Sequence, residues 1–188
     1  MQTRPRITIC CVESPAEADM AIRCGALALG LVSAMPSGSR IDSEDTISKI
    51  TATVPPPIAT FLLTSEHSPD AIIAQQRRCP TNIIQLCQHL PVSVYSRLHD
   101  ALFGVALVQV VHVAETASVD YAVAASDHGD ALLLDSGNLN LDVKELGGTG
   151  RTHDWNLSGR IREAIGIPLF LAGGLNAVTN IGSPNNPA

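Results

Sequence analysis

The chain has 188 residues, a formal net charge of −6 and 45% hydrophobic residues against 16% charged ones. That composition excludes wholesale disorder, and the length suits one domain rather than two. An acidic chain with no Lys/Arg run lacks the basic field of a nucleic-acid binder, and no apolar stretch reaches the roughly 18–20 residues of a membrane helix.

Short runs rich in Val, Ile and Leu alternate with longer mixed segments along the chain. The first run is Ile7 to Val12, and Ser14-Pro15-Ala16-Glu17 follows it as a helix start: N-cap, proline at the first position, glutamate three after the cap. Cys24-Gly25 is the expected stop. A second strand is predicted over Ala26–Val32. A Pro/Ser/Gly loop from Met35 to Arg40 follows, then a helix opened by Asp42 or Ser43.

Ile58 to Leu63 reads as the third strand, and Ser68-Pro69-Asp70 opens a helix through Arg78. Asn82–Cys87 is the fourth strand, followed by a helix from Pro91 to Ala101. Val105–Val113 is the fifth, with a helix over Ala117–Ser126. Ala131–Leu134 is the sixth and ends at Asp135 before a long polar loop. A helix over Asn156–Ile165 and a last strand over Pro168–Ala172, closed by Gly173-Gly174, complete the series.

Seven apolar strands separated by helices imply βα units with parallel strands buried on both faces. A doubly wound sheet and a (β/α)8 barrel both satisfy this pattern. Length alone favours the open sheet, since barrels typically run to about 250 residues. The glycine fingerprint GxGxxG is missing after the first strand, where Cys10-Cys11-Val12-Glu13-Ser14 stands, and no P-loop pattern is present. Polar and glycine residues gather just after the strand ends, which is where sites form in either architecture.

Five cysteines (Cys10, Cys11, Cys24, Cys79, Cys87) without regular spacing argue against a disulfide framework and fit a reducing compartment. The six histidines are scattered, with no HxxxH or HExxH pattern, so no metal site is expected. The apolar run after Arg4 and Arg6 is too short for a signal peptide, so a cytoplasmic location is expected.

Taken in order, Ile7-Thr8-Ile9-Cys10, Ser39-Arg40, Gln85-Leu86, Leu134-Asp135-Ser136, Gly147-Gly148-Thr149-Gly150 with Asp154-Trp155, and Leu171-Ala172-Gly173-Gly174-Leu175 resemble phosphoribosylanthranilate isomerase. That family is a (β/α)8 barrel of tryptophan biosynthesis, and the resemblance runs from Ile7 to Ile181. It implies an α/β fold: an incomplete TIM barrel of about seven βα units with strand 8 missing. Residues 1–181 would form the single barrel-like domain, and 182–188 an irregular tail.

The reaction implied is an Amadori rearrangement that needs an acid, a base and no cofactor or metal. An acid protonates the ribose ring oxygen and opens the ring to a Schiff base. A base then removes the proton on C2, and the enolamine tautomerises to the ketone.

The resemblance assigns the base to Cys10, whose thiol would need a lowered pKa, and the acid to Asp135, whose carboxyl would need a raised one. It places Arg40 on the anthranilate carboxylate, and the backbone of Gly147, Gly148, Thr149, Gly150, Gly173 and Gly174 on the phosphate. Gln85 and His112, at the ends of the fourth and fifth strands, are further candidates for substrate contact. The partner is a small phosphorylated substrate, with no nucleic acid and no membrane, and the assembly a monomer or homodimer.

Two motifs depart from the family pattern. Lys-Ile-Cys-Gly at strand 1 is Thr8-Ile9-Cys10-Cys11 here, which removes a positive charge and a glycine, and Gln-Leu-His-Gly at strand 4 is Gln85-Leu86-Cys87-Gln88. By strand alternation Cys11 should face away from Cys10 and pack. The departures and the breaker-rich segment after Ile181 leave open an inactive or repurposed barrel that binds a phosphorylated small molecule, or a gene fragment.

Overall fold

The computed structural model describes residues 6–36, 43–137, 146 and 150–175. Within them, strands and helices alternate as the periodicity predicts: β1 (Thr8–Cys10), α1 (Pro15–Arg23), β2 (Ala28–Val32), α2 (Glu44–Thr51), β3 (Ala59–Thr64), α3 (Pro69–Arg78) and β4 (Ile83–Leu86). These are followed by α4 (Val92–Ala101), β5 (Ala106–His112), α5 (Ala117–Ser126), β6 (Ala131–Asp135), α6 (Trp155–Ala164) and β7 (Leu169–Leu171). The segments 37–42, 138–145, 147–149 and 176–188 lie outside the described residues. The expectations for Arg40, for Gly147, Gly148 and Thr149, and for a tail at 182–188 fall there.

The helix starts follow from their caps. The Ser14 hydroxyl accepts the Glu17 N–H at 3.2 Å, and Glu17 Oε2 accepts the Glu13 N–H at 2.8 Å, so both ends of the first turn are satisfied reciprocally. Of the two candidate starts for α2, Ser43 is the N-cap, accepting from Thr46 N–H. Asp154 caps α6 through the Asn156 N–H, so that helix begins at Trp155, one residue earlier than the sequence suggests.

All seven strands are parallel and hydrogen-bonded in sequence order, β1-β2-β3-β4-β5-β6-β7. A doubly wound sheet reverses its strand order at a switch point, whereas uninterrupted sequential order belongs to the barrel. The sheet also curls. Phe61 on β3 and Phe170 on β7 meet edge to face with ring centroids 5.5 Å apart. In a flat sheet, at about 4.8 Å per strand, those strands would lie ~19 Å apart. The length argument for an open sheet therefore yields to the curvature of the strands themselves.

Alternation sorts each strand into an inner and an outer row. Ala28, Val32, Phe61, Leu63, Cys87, Val108, Val110, Ala131 and Leu133 fill the inside, with Phe170 and Ala172 packed against them. Leu29, Leu31, Leu62, Ile84, Leu107, Leu132 and Leu134 point outward into three clusters beneath the helices. One polar knot lies in that outer layer. Gln109, fully buried on β5, donates to the Leu86 and Gln88 carbonyls at 3.0 and 2.9 Å and accepts the Tyr95 hydroxyl at 2.6 Å.

β1 is shorter than the Ile7–Val12 run suggests. Cys11 stops it by taking φ 61°, the left-handed region that favours glycine. This is the position where the related motif carries glycine. The turn also overrides strand alternation: Cys11 packs against the inner cluster instead of facing away from Cys10.

Because a non-glycine residue in this conformation costs about 1 kcal/mol or more, Cys11→Gly is expected to stabilise the fold by about 0.5–1 kcal/mol. Chemical denaturation of the two proteins measures it.

Candidate active site

The inward rows deliver a specific set of side chains to the carboxyl ends of the strands. Cys10 stands beside Gly30 in register, and His112 stands beside Asp135. Neighbours in register share a face, so each pair lies on one side of the sheet. His112 follows the inward residues Val108 and Val110 at a spacing of two, and Asp135 follows Ala131 and Leu133 in the same way. Gln85 and Cys87 arrive from the end of β4, and Gly173-Gly174 follow β7.

Cys10 is exposed as a residue because β1 is an edge strand among the described residues. Its sulfur, however, turns over the backbone of β2, where a Cβ added to Gly30 would meet Sγ at 2.8 Å. Gly30 therefore makes the room that this thiol occupies. The atoms crowded around the sulfur desolvate it, and negative charge on Cys11 and Asp135 adds to the effect, so the thiol is pushed up to about 11. The expected lowering is not what the surroundings produce. Among the described residues no cationic side chain contributes to holding a thiolate there, and the strand-1 position where the related motif has lysine is Thr8.

Asp135 is buried, 7% exposed. Burial pushes its carboxyl above the ordinary carboxylate range, against the Ser136 N–H, which donates to Oδ1 at 2.7 Å, and the nearby imidazoles of His112 and His153. This is the direction that a carboxylic acid serving as proton donor requires. The same carboxyl opposes ionisation of Cys10 and of Cys87, whose fully buried thiol is pushed up to about 12, first by burial. Cys10, Cys87 and Asp135 thus share one electrostatic neighbourhood.

His112 is held by its Nε2 contact with the Cys87 carbonyl at 3.1 Å, while its Nδ1 is buried without a hydrogen-bond partner among the described residues. Burial lowers its pKa, against the Cys87 carbonyl and Asp135. Gln85, also buried, sends Nε2 toward the Cys87 sulfur at 3.8 Å. Gly150, Gly173 and Gly174 all take positive φ, at 67°, 82° and 64°. A Cβ on Gly174 would collide with the Thr152 backbone nitrogen at 2.8 Å, and one on Gly173 would press on Asp135 Oδ1 and the Arg151 carbonyl at 3.0 Å each. Only glycine fits there, and the chain from Gly150 to His153 runs directly over the end of β7.

The sequence-predicted residues Cys10, Gln85, His112, Asp135, Gly150, Gly173 and Gly174 are therefore brought to one end of the sheet. Three participants were not singled out from sequence: Gly30, Cys87 and His153. Cys87 could have been found by parity, two residues beyond Gln85. Gly30 could not, because its role depends on the register of β1 against β2. Among the described residues, no three His, Cys, Asp or Glu side chains converge as a metal site.

A thiol, a buried carboxyl and glycine backbone at the carboxyl ends of sequentially ordered parallel strands define a (β/α)-barrel enzyme site. Comparison with known proteins gives the family. The family model for N-(5'-phosphoribosyl)anthranilate (PRA) isomerase matches residues 7–184. The N-(5'-phosphoribosyl)anthranilate isomerase of Methanocella arvoryzae is 29% identical over 171 residues, covering 91% of this chain and 78% of that protein. The Halobacterium salinarum isomerase is 31% identical over 172 residues, covering 90% and 76%. Among solved structures, the phosphoribosylanthranilate isomerase of Thermotoga maritima superposes with a TM-score of 0.75 at 24% identity, covering 92% of this chain and 78% of that one. Another, solved with reduced 1-(o-carboxyphenylamino)-1-deoxyribulose 5-phosphate, gives 0.72 at 22% identity, covering 92% and 77%. The chain belongs to the N-(5'-phosphoribosyl)anthranilate isomerase family.

The electrostatics predict the reactivity of Cys10. Alkylation of Cys10 by iodoacetamide, followed by peptide mass spectrometry, is expected to be slow at pH 7.5 and to rise until about pH 11. Asp135→Asn removes a negative neighbour, so the rise should shift to lower pH.

Proposed function

We propose that the chain isomerises N-(5-phosphoribosyl)anthranilate to the 1-deoxyribulose phosphate product in tryptophan biosynthesis, as a cytoplasmic enzyme working as a monomer or homodimer. Among the described residues no helix is long and apolar enough to cross a membrane, which accords with that location. The observation that carries the reading is the buried Asp135 carboxyl at the mouth, close enough for its charge to act on the Cys10 thiol, in a chain of this family.

The chemistry divides between these two groups. Asp135 gives its proton to the ribose ring oxygen as the C1–O bond breaks. The electron pair of that bond goes to the oxygen, while the anthranilate nitrogen's lone pair forms C=N. Cys10, as thiolate, takes the proton from C2, and the freed electron pair forms the C1=C2 enolamine, which tautomerises to the ketone. Arg40 meets the anthranilate carboxylate, the backbone of Gly147–Gly150 and Gly173-Gly174 takes the phosphate, and Gln85 and His112 contact the sugar. Positive φ at three of these glycines supports the phosphate role, because backbone N–H groups free of Cβ approach an anion closely.

The proton inventory follows from the two shifts. The working form holds one proton between Cys10 and Asp135, on the carboxyl. The tautomer that carries it on sulfur has the same net charge and is favoured at rest by the thiol at about 11. Both forms rise and fall together with pH. The kcat/KM profile should therefore be a broad bell, with an acid limb above the ordinary carboxylate range and an alkaline limb approaching pH 11.

Loss of substrate fluorescence follows turnover. Cys10→Ala and Asp135→Asn are each expected to lower kcat by about 10²-fold or more. Unchanged turnover in both removes the assignment. Binding of a phosphorylated ligand by the wild type without turnover would mark a repurposed barrel instead, a reading favoured by the raised thiol and by the departures at strands 1 and 4.

A further inference from the structure

The mouth holds a buried imidazole that the proposed reaction leaves unused. His153 is only 8% exposed, and neither of its ring nitrogens has a hydrogen-bond partner among the described residues. A buried imidazole with both nitrogens idle costs stability, since each polar atom has given up water without replacement. Its position is tightly set. The ring stacks on Trp155, centroids 6.1 Å apart and planes 14° from parallel. The residues just before it are clamped on β7: Thr152 N and the Arg151 carbonyl crowd Gly174 and Gly173. The point on Gly173 that lies 3.0 Å from the Arg151 carbonyl lies 3.0 Å from Asp135 Oδ1 as well. The turn that carries His153 therefore passes beside the carboxyl.

We propose that His153 is the positioning residue of Asp135, turning a ring N–H toward the carboxylate that remains when Asp135 has given up its proton. The inference rests on the isomerase reading for its kinetic meaning. In the working form, with the proton on the carboxyl, Asp135 is a neutral acid and gains little from a neutral donor. Afterwards it is a buried anion whose donors are the Ser136 N–H and the Ser136 side chain. Measured from that working form, a donor that strengthens as charge develops on the carboxyl lowers the barrier to proton transfer.

The groups facing the pair are Asp154 at the cap of α6, His112 on β5, Cys10 on β1 and Cys87 just beyond β4. Asp135 and Asp154 both favour protonation of His153, burial opposes it more strongly, and the balance leaves a neutral ring at pH 7. A neutral imidazole has one N–H to give and keeps the other nitrogen as an acceptor.

Two measurements on the full chain test this, one with turnover and one without. His153→Phe keeps the stack on Trp155 and removes the donor; His153→Gln restores an N–H. Phe is expected to lower kcat by about tenfold or more with KM within about twofold, and Gln to recover most of the loss. Removing the donor also raises the Asp135 pKa, so the acid limb of kcat/KM should move to higher pH in the Phe variant.

Independently of catalysis, the His153 ring is titrated by NMR in the wild type and in Asp135→Asn. Loss of the carboxylate should lower the His153 pKa. A Phe variant with unchanged kcat and acid limb overturns the proposal, as does one whose KM alone rises, which would put His153 on the substrate. An unmoved His153 titration overturns it too. If the wild type does not turn over while His153 still responds to Asp135→Asn, the pairing stands and the isomerase reading is what fails.

Discussion

Burial of one carboxyl governs this site. Asp135 ends an apolar strand, faces inward beside His112 in register, and carries a charge that reaches Cys10, Cys87, His112 and His153. Because it is desolvated, its own proton is held more firmly than an ordinary carboxylate would hold it. That charge makes both thiols harder to ionise and both imidazoles easier to protonate. None of these groups titrates alone, and the chemistry is a property of the set.

The barrel geometry is what gathers the set. Cys10, Cys87, His112 and Asp135 each stand at or just beyond a strand's carboxyl end, and the strands are hydrogen-bonded in sequence order, so the inward rows converge as the sheet curls; His153 joins them from the segment ahead of α6. Phe61 and Phe170 touch across that interior and tie β3 to β7. At β1 the thiol fits only because Gly30 leaves the space open, and at β7 the glycine pair lets the chain from Gly150 to His153 pass close to Asp135. The substitutions at strand 1 bear on the same place. Threonine at position 8 contributes no positive charge, and Cys11 adopts a conformation better suited to glycine.

Much of this was legible in the residues. The order of elements followed from apolar runs and caps, and the helix starts at Ser14 and Ser43 carried their own hydrogen-bonding logic. Cys10 and Asp135 could be named from the family resemblance, and Gln85 and His112 from their places near the ends of strand-like runs. Curvature was not legible in periodicity and length, since seven parallel strands suit an open sheet as well; the resemblance supplied the barrel, and the contact of β3 with β7 bears it out. Alternation misplaced Cys11, because a left-handed residue breaks the two-residue period. His153 escaped notice because its meaning depends on a turn laid over Gly173 and Gly174, a contact between segments about 20 residues apart with no local signature.

The most direct measurement is the titration of the Asp135 side-chain carbon by 13C NMR, assigned with Asp135→Asn. The account predicts a midpoint clearly above the ordinary aspartate value of about 3.9, with a second, smaller inflection when Cys10 ionises near pH 11. A midpoint at or below that ordinary value, with no inflection from the thiol, would contradict it.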